Sequence, residues 1–119
     1  MKLPYSSAAS IPKAKVVDYL LSSTHVRGKG KAAFFMRHGF SGDEWMEFAK
    51  ALRQHALDHE ITAQEGSPFG DRCVIDGTLR SPHGDILLVR TVWFIDTGKE
   101  VPRFVTAYPL KHKSHDPGT

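Results

Sequence analysis

Residues 85–96 read DILLVRTVWFID, an apolar run broken only by Arg90 and Thr91. β-Branched and aromatic residues dominate it, and apolar side chains fall on both of its faces, as in a strand covered on both sides. The run is therefore expected to be the central strand of a sheet. Upstream, Arg72 to Leu79 is a second strand-like run, joined to the first by the turn residues Ser81-Pro82-His83-Gly84. Downstream, Thr97-Gly98-Lys99 turns the chain into a third run, Arg103 to Leu110, while a shorter strand near Ile61 to Gln64 adds an edge. Gly66, Pro68 and Gly70 punctuate the loop between that edge and the second run.

The first half of the chain has a different period. Ala14 to Leu21 places Val16, Val17, Leu20 and Leu21 at helical spacing after Pro12, and Ser22-Ser23-Thr24-His25 breaks it. His25 opens a loop whose glycines make Arg27 to Gly30 a poor helix, whereas Lys31 to His38 is apolar enough for a short buried helix that Gly39 ends. Ser41 to Glu44 has the S-x-x-E form of a capping box, with Trp45, Phe48, Ala49, Leu52 and Ala56 at helical spacing behind it. That helix should run to about His59. Helices first and strands later predict an α+β fold, with N-terminal helices packed on one face of a C-terminal antiparallel sheet of about four strands. The other face is left for function.

Composition narrows the class. A length of 119 residues suits a single domain spanning 1–119, with residues 1–10 and 111–119 as candidate flexible ends. No apolar run has the length of about 20 residues that crosses a bilayer, and MKLPYSSAAS lacks a continuous apolar signal core, so no membrane association and a cytoplasmic location are expected. Cys73 is the single cysteine and can form no internal disulfide. Net charge is +3 and the pI is about 9.1, which permits an anionic partner. The bases gather at His25, Arg27, Lys29 and Lys31 and again at Arg103, Lys111, His112, Lys113 and His115.

Several side chains have the chemistry to act on such a partner. Alternation in the last strand sets Val105 and Ala107 towards the helix-covered core and Phe104, Thr106 and Tyr108 on the opposite face. The Thr106 and Tyr108 hydroxyls then stand about 7 Å apart, a spacing that suits two contacts to one phosphodiester. His25 lies in a glycine-rich basic loop leading into a helix, where backbone N–H groups and the helix dipole favour phosphate. The G-x-x-x-x-G-K-[ST] nucleotide loop is absent, because Ala32 follows Lys31. Metal-free RNA cleavage needs a base for the 2′-hydroxyl proton, a cation for the phosphorane and a donor for the leaving oxygen. His25, Lys31, Tyr108 and Thr106 supply those groups. His55 and His59, four apart, lack the glutamate of H-E-x-x-H, so no native metal site is expected. Cys73 and Trp93 read as buried structural residues in strands.

The pattern KVVDYLL, THVRGKGKAAFF-x-x-x-GF, RTVW and PRFVTAYP, spanning nearly the whole chain, resembles an uncharacterised family of small bacterial domains. Its layout also resembles the barnase, EndoU, colicin and RelE group of ribonuclease toxins, and the T-x-Y ending is similar to that of ribonuclease A-like contact-dependent toxin domains. The resemblance implies His25 as the helix-region histidine, Thr106 and Tyr108 as the closing-strand pair, and Lys31 or Arg37 as the basic partner. It also implies an RNA substrate, no cofactor, and a cognate antitoxin or immunity protein.

Two readings from different classes follow. The first is a metal-independent endoribonuclease toxin that cleaves RNA through a 2′,3′-cyclic phosphate, with catalytic His25, Lys31, Thr106 and Tyr108 and with Arg27, Lys29, Arg37, Arg90 and Arg103 binding substrate. The second is a non-catalytic binding module, immunity-like or regulatory, that uses the exposed sheet face to hold a protein or nucleic acid. An enzyme acting on a small phosphorylated ligand ranks behind both, since no nucleotide motif is present.

Overall fold

The computed structural model describes residues 1–20 and 34–110. Four antiparallel strands form one sheet in the order β1-β2-β3-β4, with β1 Ala63–Ser67, β2 Gly70–Arg80, β3 Ile86–Asp96 and β4 Arg103–Pro109. The 85–96 run is central, as its two apolar faces require. The α-helix α1 spans Trp45–Asp58 and lies on one face of this sheet. The architecture is α+β.

The core lies between α1 and the sheet. Phe48, Leu52 and Ala56 from the helix join Cys73, Ile75 and Leu79 of β2 and Leu87, Val89 and Trp93 of β3, all of them buried. The odd-numbered residues of β2 and β3 thus face the helix, because side chains alternate along a strand. Full burial of each large apolar side chain contributes roughly 1.5–3 kcal/mol. Phe35 and Phe40 extend this core around Phe48, with ring centroids 4.8 and 4.5 Å from it. Gly39 ends the helical segment 34–37 with φ 103°, a left-handed turn that glycine adopts without steric cost.

Several local details depart from the sequence expectations. Ser41 makes no side-chain cap; the Glu44 N–H donates to the Ser41 carbonyl instead, winding Gly42–Glu44 into a 3-10 turn before α1. The expected helix after Pro12 is wound as a π-helix over Lys15–Leu20, with Val16 in the core. Gly66 belongs to β1, since only Pro68 and Phe69 separate the paired residues Ser67 and Gly70. In the first ten residues, Leu3 and Ala9 are buried, the Met1 carbonyl accepts from the Ile61 N–H at 2.8 Å, and Ser10 bridges Arg103 in parallel.

Candidate functional site

The even-numbered residues of β2 and β3 form the second face of the sheet. Alternation alone would set Phe104 there as well. A β-bulge overturns that expectation: Val92 pairs with Thr106 and Trp93 with Phe104, so Val105 is an extra residue. The bulge resets the phase of β4. Phe104 turns into the core beside Trp93, with ring centroids 5.4 Å apart, and Ala107 is buried with it, while Val105 is only half-buried. Thr106 and Tyr108 stay on the second face, as expected.

Register then composes two adjacent rows across that face. Ala63, Val74, Val92 and Thr106 make one, and Asp76, Arg90 and Tyr108 the next. The first row is not bare, for Val74 is buried and Val92 fully so. The second row is polar and connected. Arg90 donates from Nε to Asp76 Oδ1 at 2.7 Å and from Nη2 to Asp76 Oδ2 at 2.8 Å, a bidentate pair of the geometry that fixes a guanidinium. Its remaining Nη1 points to the Tyr108 hydroxyl at 3.5 Å, with Cζ 5.9 Å from the ring centroid. Hydrogen bonding to Asp76, and then to Tyr108, holds Arg90 still more firmly protonated.

Asp76 carries no motif and was reachable from sequence only through geometry. Folding the 72–96 hairpin symmetrically about His83 sets it opposite Arg90. Of the other expected contacts, Arg103 pairs with Asp96 at 2.9 Å and stacks 5.0 Å over the Phe94 ring; this hydrogen bond holds the Asp96 carboxyl below its usual range. Arg37 is exposed, 5.9 Å from the Phe34 ring centroid. His25, Arg27, Lys29 and Lys31 lie outside the described residues.

The helix face carries a different polar group. His55 is buried, with Nδ1 3.2 Å from Thr91 Oγ1 and Nε2 within 3.2 Å of the Gly77 and Val89 carbonyls. Trp93 donates to the same Thr91 oxygen at 2.9 Å. One assignment satisfies every atom: neutral His55 donates from Nε2 to the carbonyls and accepts the Thr91 proton at Nδ1. Both ring nitrogens are thereby engaged in holding helix to sheet. Among the described residues, no three His, Cys, Asp or Glu side chains are grouped to hold a metal. Burial, and then Asp71, pushes the Cys73 thiol up, as for a structural cysteine. A hollow of about 380 Å3 opens between α1 and the β2–β3 turn, lined by Lys50, Gln54, Arg80 and Ile86 among others. No described helix is long and apolar enough to cross a membrane.

In the comparisons with known proteins, no curated protein matches the chain. Among solved structures it is similar to a chain of a contact-dependent growth inhibition toxin–immunity protein complex from Klebsiella pneumoniae 342, with 20% identity and a TM-score of 0.71, covering 91% of this chain and 98% of that one. At that identity the likeness is one of fold. Residues 2–111 match the model of DUF6883, a domain of unknown function, and over that length the chain belongs to the DUF6883 family.

Proposed function

We propose that the chain is a ribonuclease toxin domain that cleaves RNA without a metal. The observation that carries this reading is the shared face of Thr106, Tyr108 and Arg90, two hydroxyls and a fixed cation in adjacent rows of one sheet. In the reaction, His25 takes the proton of the ribose 2′-hydroxyl as the 2′ oxygen attacks phosphorus. Lys31 or Arg37 offsets the charge of the phosphorane, and Thr106 orients it. The bond from phosphorus to the 5′ oxygen then breaks while Tyr108 gives its proton to that oxygen, leaving a 2′,3′-cyclic phosphate and a 5′-hydroxyl. Arg27, Lys29, Arg37, Arg90 and Arg103 hold the flanking backbone.

The fold likeness to a chain of a toxin–immunity complex supports a toxin-related role and a cognate protein partner. Because that complex contains an immunity protein as well as a toxin, it also supports the second reading, an immunity-like module that binds and does not cleave.

Incubation of the purified protein with total and transfer RNA in EDTA tests the choice. Cleavage to 2′,3′-cyclic ends, falling roughly 100-fold or more in His25→Ala and in Tyr108→Phe, is the expected result. Intact RNA at high protein concentration, with both variants indistinguishable from wild type, overturns it.

A further inference from the structure

We propose that Phe94 and Arg103 form a stacking subsite for one nucleobase of a single-stranded RNA, next to the nucleotide whose phosphate Thr106 orients. The proposal rests on the ribonuclease reading and deepens it: Arg103, given there only a hold on the backbone, also takes a base on its flat face.

The subsite lies in a third row of the second face, where Glu65, Arg72, Phe94 and Arg103 stand in register across all four strands. Arg103 shares this face with Thr106 because of the bulge, for residues three apart in a regular strand point to opposite faces. Phe94 is half-buried there, on the side of β3 away from the core that holds Trp93. Its ring is hemmed from two sides. On the β2 side, Gly70 approaches so closely that a Cβ would lie 2.6 Å from ring carbon Cε2. On the β4 side, Arg103 Cζ lies 5.0 Å from the ring centroid, within the range of cation–π attraction.

Asp96 turns this contact into a platform. It accepts from Arg103 Nε at 2.9 Å and from Nη2 at 3.3 Å, occupying the edge with which a free arginine would grip a phosphate by two parallel bonds. What remains are Nη1, for the flanking backbone, and the flat face away from Phe94, on a side chain 48% exposed. Guanidinium planes and aromatic rings are the surfaces on which unstacked RNA bases lie, and two flat groups already fixed by their neighbours lose little freedom on binding. The spacing agrees. Phe94 stands two residues along β3 from Val92, the partner of Thr106, so the two rows are about 7 Å apart, a step of one nucleotide along an extended strand. Arg72 is exposed and adds a cation beside Phe94, while Glu65 ends the row at β1 with an acid that a phosphate avoids.

The test uses the full chain and a short 2′-O-methyl RNA, which has no 2′-hydroxyl to attack, carrying the fluorescent base 2-aminopurine at each position in turn; an abasic copy is the control. Stacking quenches 2-aminopurine. Wild type should quench it at one position. Phe94→Leu and Arg103→Lys should each abolish that quenching and weaken binding of the base-bearing RNA roughly 5-fold or more, while binding of the abasic copy stays unchanged. Arg103→Lys keeps the charge at an exposed position, so it separates stacking from a phosphate contact and from a folding defect. Absence of quenching by wild type at every position, or an equal loss of binding with the abasic copy, overturns the subsite. If wild type leaves ordinary RNA intact yet shows the quenching and both losses, the ribonuclease reading falls and the subsite stands. If wild type cuts RNA and the quenching survives in both variants, the subsite falls and the ribonuclease reading stands.

Discussion

His55 Nδ1 and Thr91 Oγ1 meet at 3.2 Å in the core, where the His55 ring bridges α1 to the β2 and β3 backbones. A buried imidazole in this position makes stability depend on pH. Burial holds its pKa below the ordinary 6.5, outweighing the opposing hydrogen bonds that the ring donates to the Val89 and Gly77 carbonyls. As pH falls through 6.5 the unfolded chain takes up a proton that the folded ring refuses. Stability is therefore complete above that pH and declines below it, until the folded ring itself titrates. Urea unfolding between about pH 8 and pH 5 should show a loss of up to about 1.4 kcal/mol per pH unit from this group. His55→Gln should be less stable at the upper pH by about 1–3 kcal/mol and show a shallower slope. An unchanged slope in His55→Gln would show that other groups set it.

His59 and Gly77 give a second prediction. His59 Nε2 donates to the Thr78 carbonyl at 2.9 Å, capping β2 beyond the end of its pairing with β1, where a strand edge is otherwise open. The ring approaches so closely that a Cβ on Gly77 would lie 2.5 Å from it. Gly77→Ala should therefore cost about 1–3 kcal/mol. The double variant with His59→Ala should cost less than the sum of the single changes, since removing the ring removes the clash. Additive values in denaturant melts would rule out this contact as the cause.

These two sites show how far sequence carries and where it stops. The apolar faces of 85–96 specify a central strand, and the spacing of Phe48, Leu52 and Ala56 specifies a helix over it, because burial imposes its period on the residues. Hairpin symmetry could likewise have placed Asp76 opposite Arg90. The bulge at Val105 has no such signature: valine suits a regular strand as well as a bulged one, so alternation put Phe104 on the wrong face. The packing of Leu3 and Ala9 was equally hidden, since their burial depends on partners more than 40 residues away, such as Arg53, which donates to the Ala9 carbonyl. Ser41 has the right residue type for a cap, but its backbone made the bond instead.

Val92 tests whether the second face is simply a surface. It is fully buried there, in the row that ends at Thr106. Val92→Ala should destabilise the protein by about 2 kcal/mol, as deletion of buried methyl groups does. The shift should appear in the denaturant midpoint with the slope unchanged. A neutral substitution would mean that this row is solvent surface, and would remove the apolar wall beside Thr106 from the description of the site.

The bulge itself has a local dependence that can be measured. An extra residue interrupts the ladder, leaving backbone groups that must find partners elsewhere. Lys15 supplies one, donating from Nζ to the Val105 carbonyl at 3.2 Å and tying the π-helix to β4. A methionine there would keep most of the stem's apolar contacts and delete the donor. Lys15→Met should therefore cost about 1–3 kcal/mol, the range for a partly buried acceptor that loses a charged partner. Because the phase of β4 decides which face Thr106 and Tyr108 occupy, the proposed ribonuclease function requires the same variant to reduce RNA cleavage more than an equally destabilising change in the core, such as Leu52→Ala. Equal cleavage by the two variants at matched folded fraction would show that the bulge keeps its phase without Lys15.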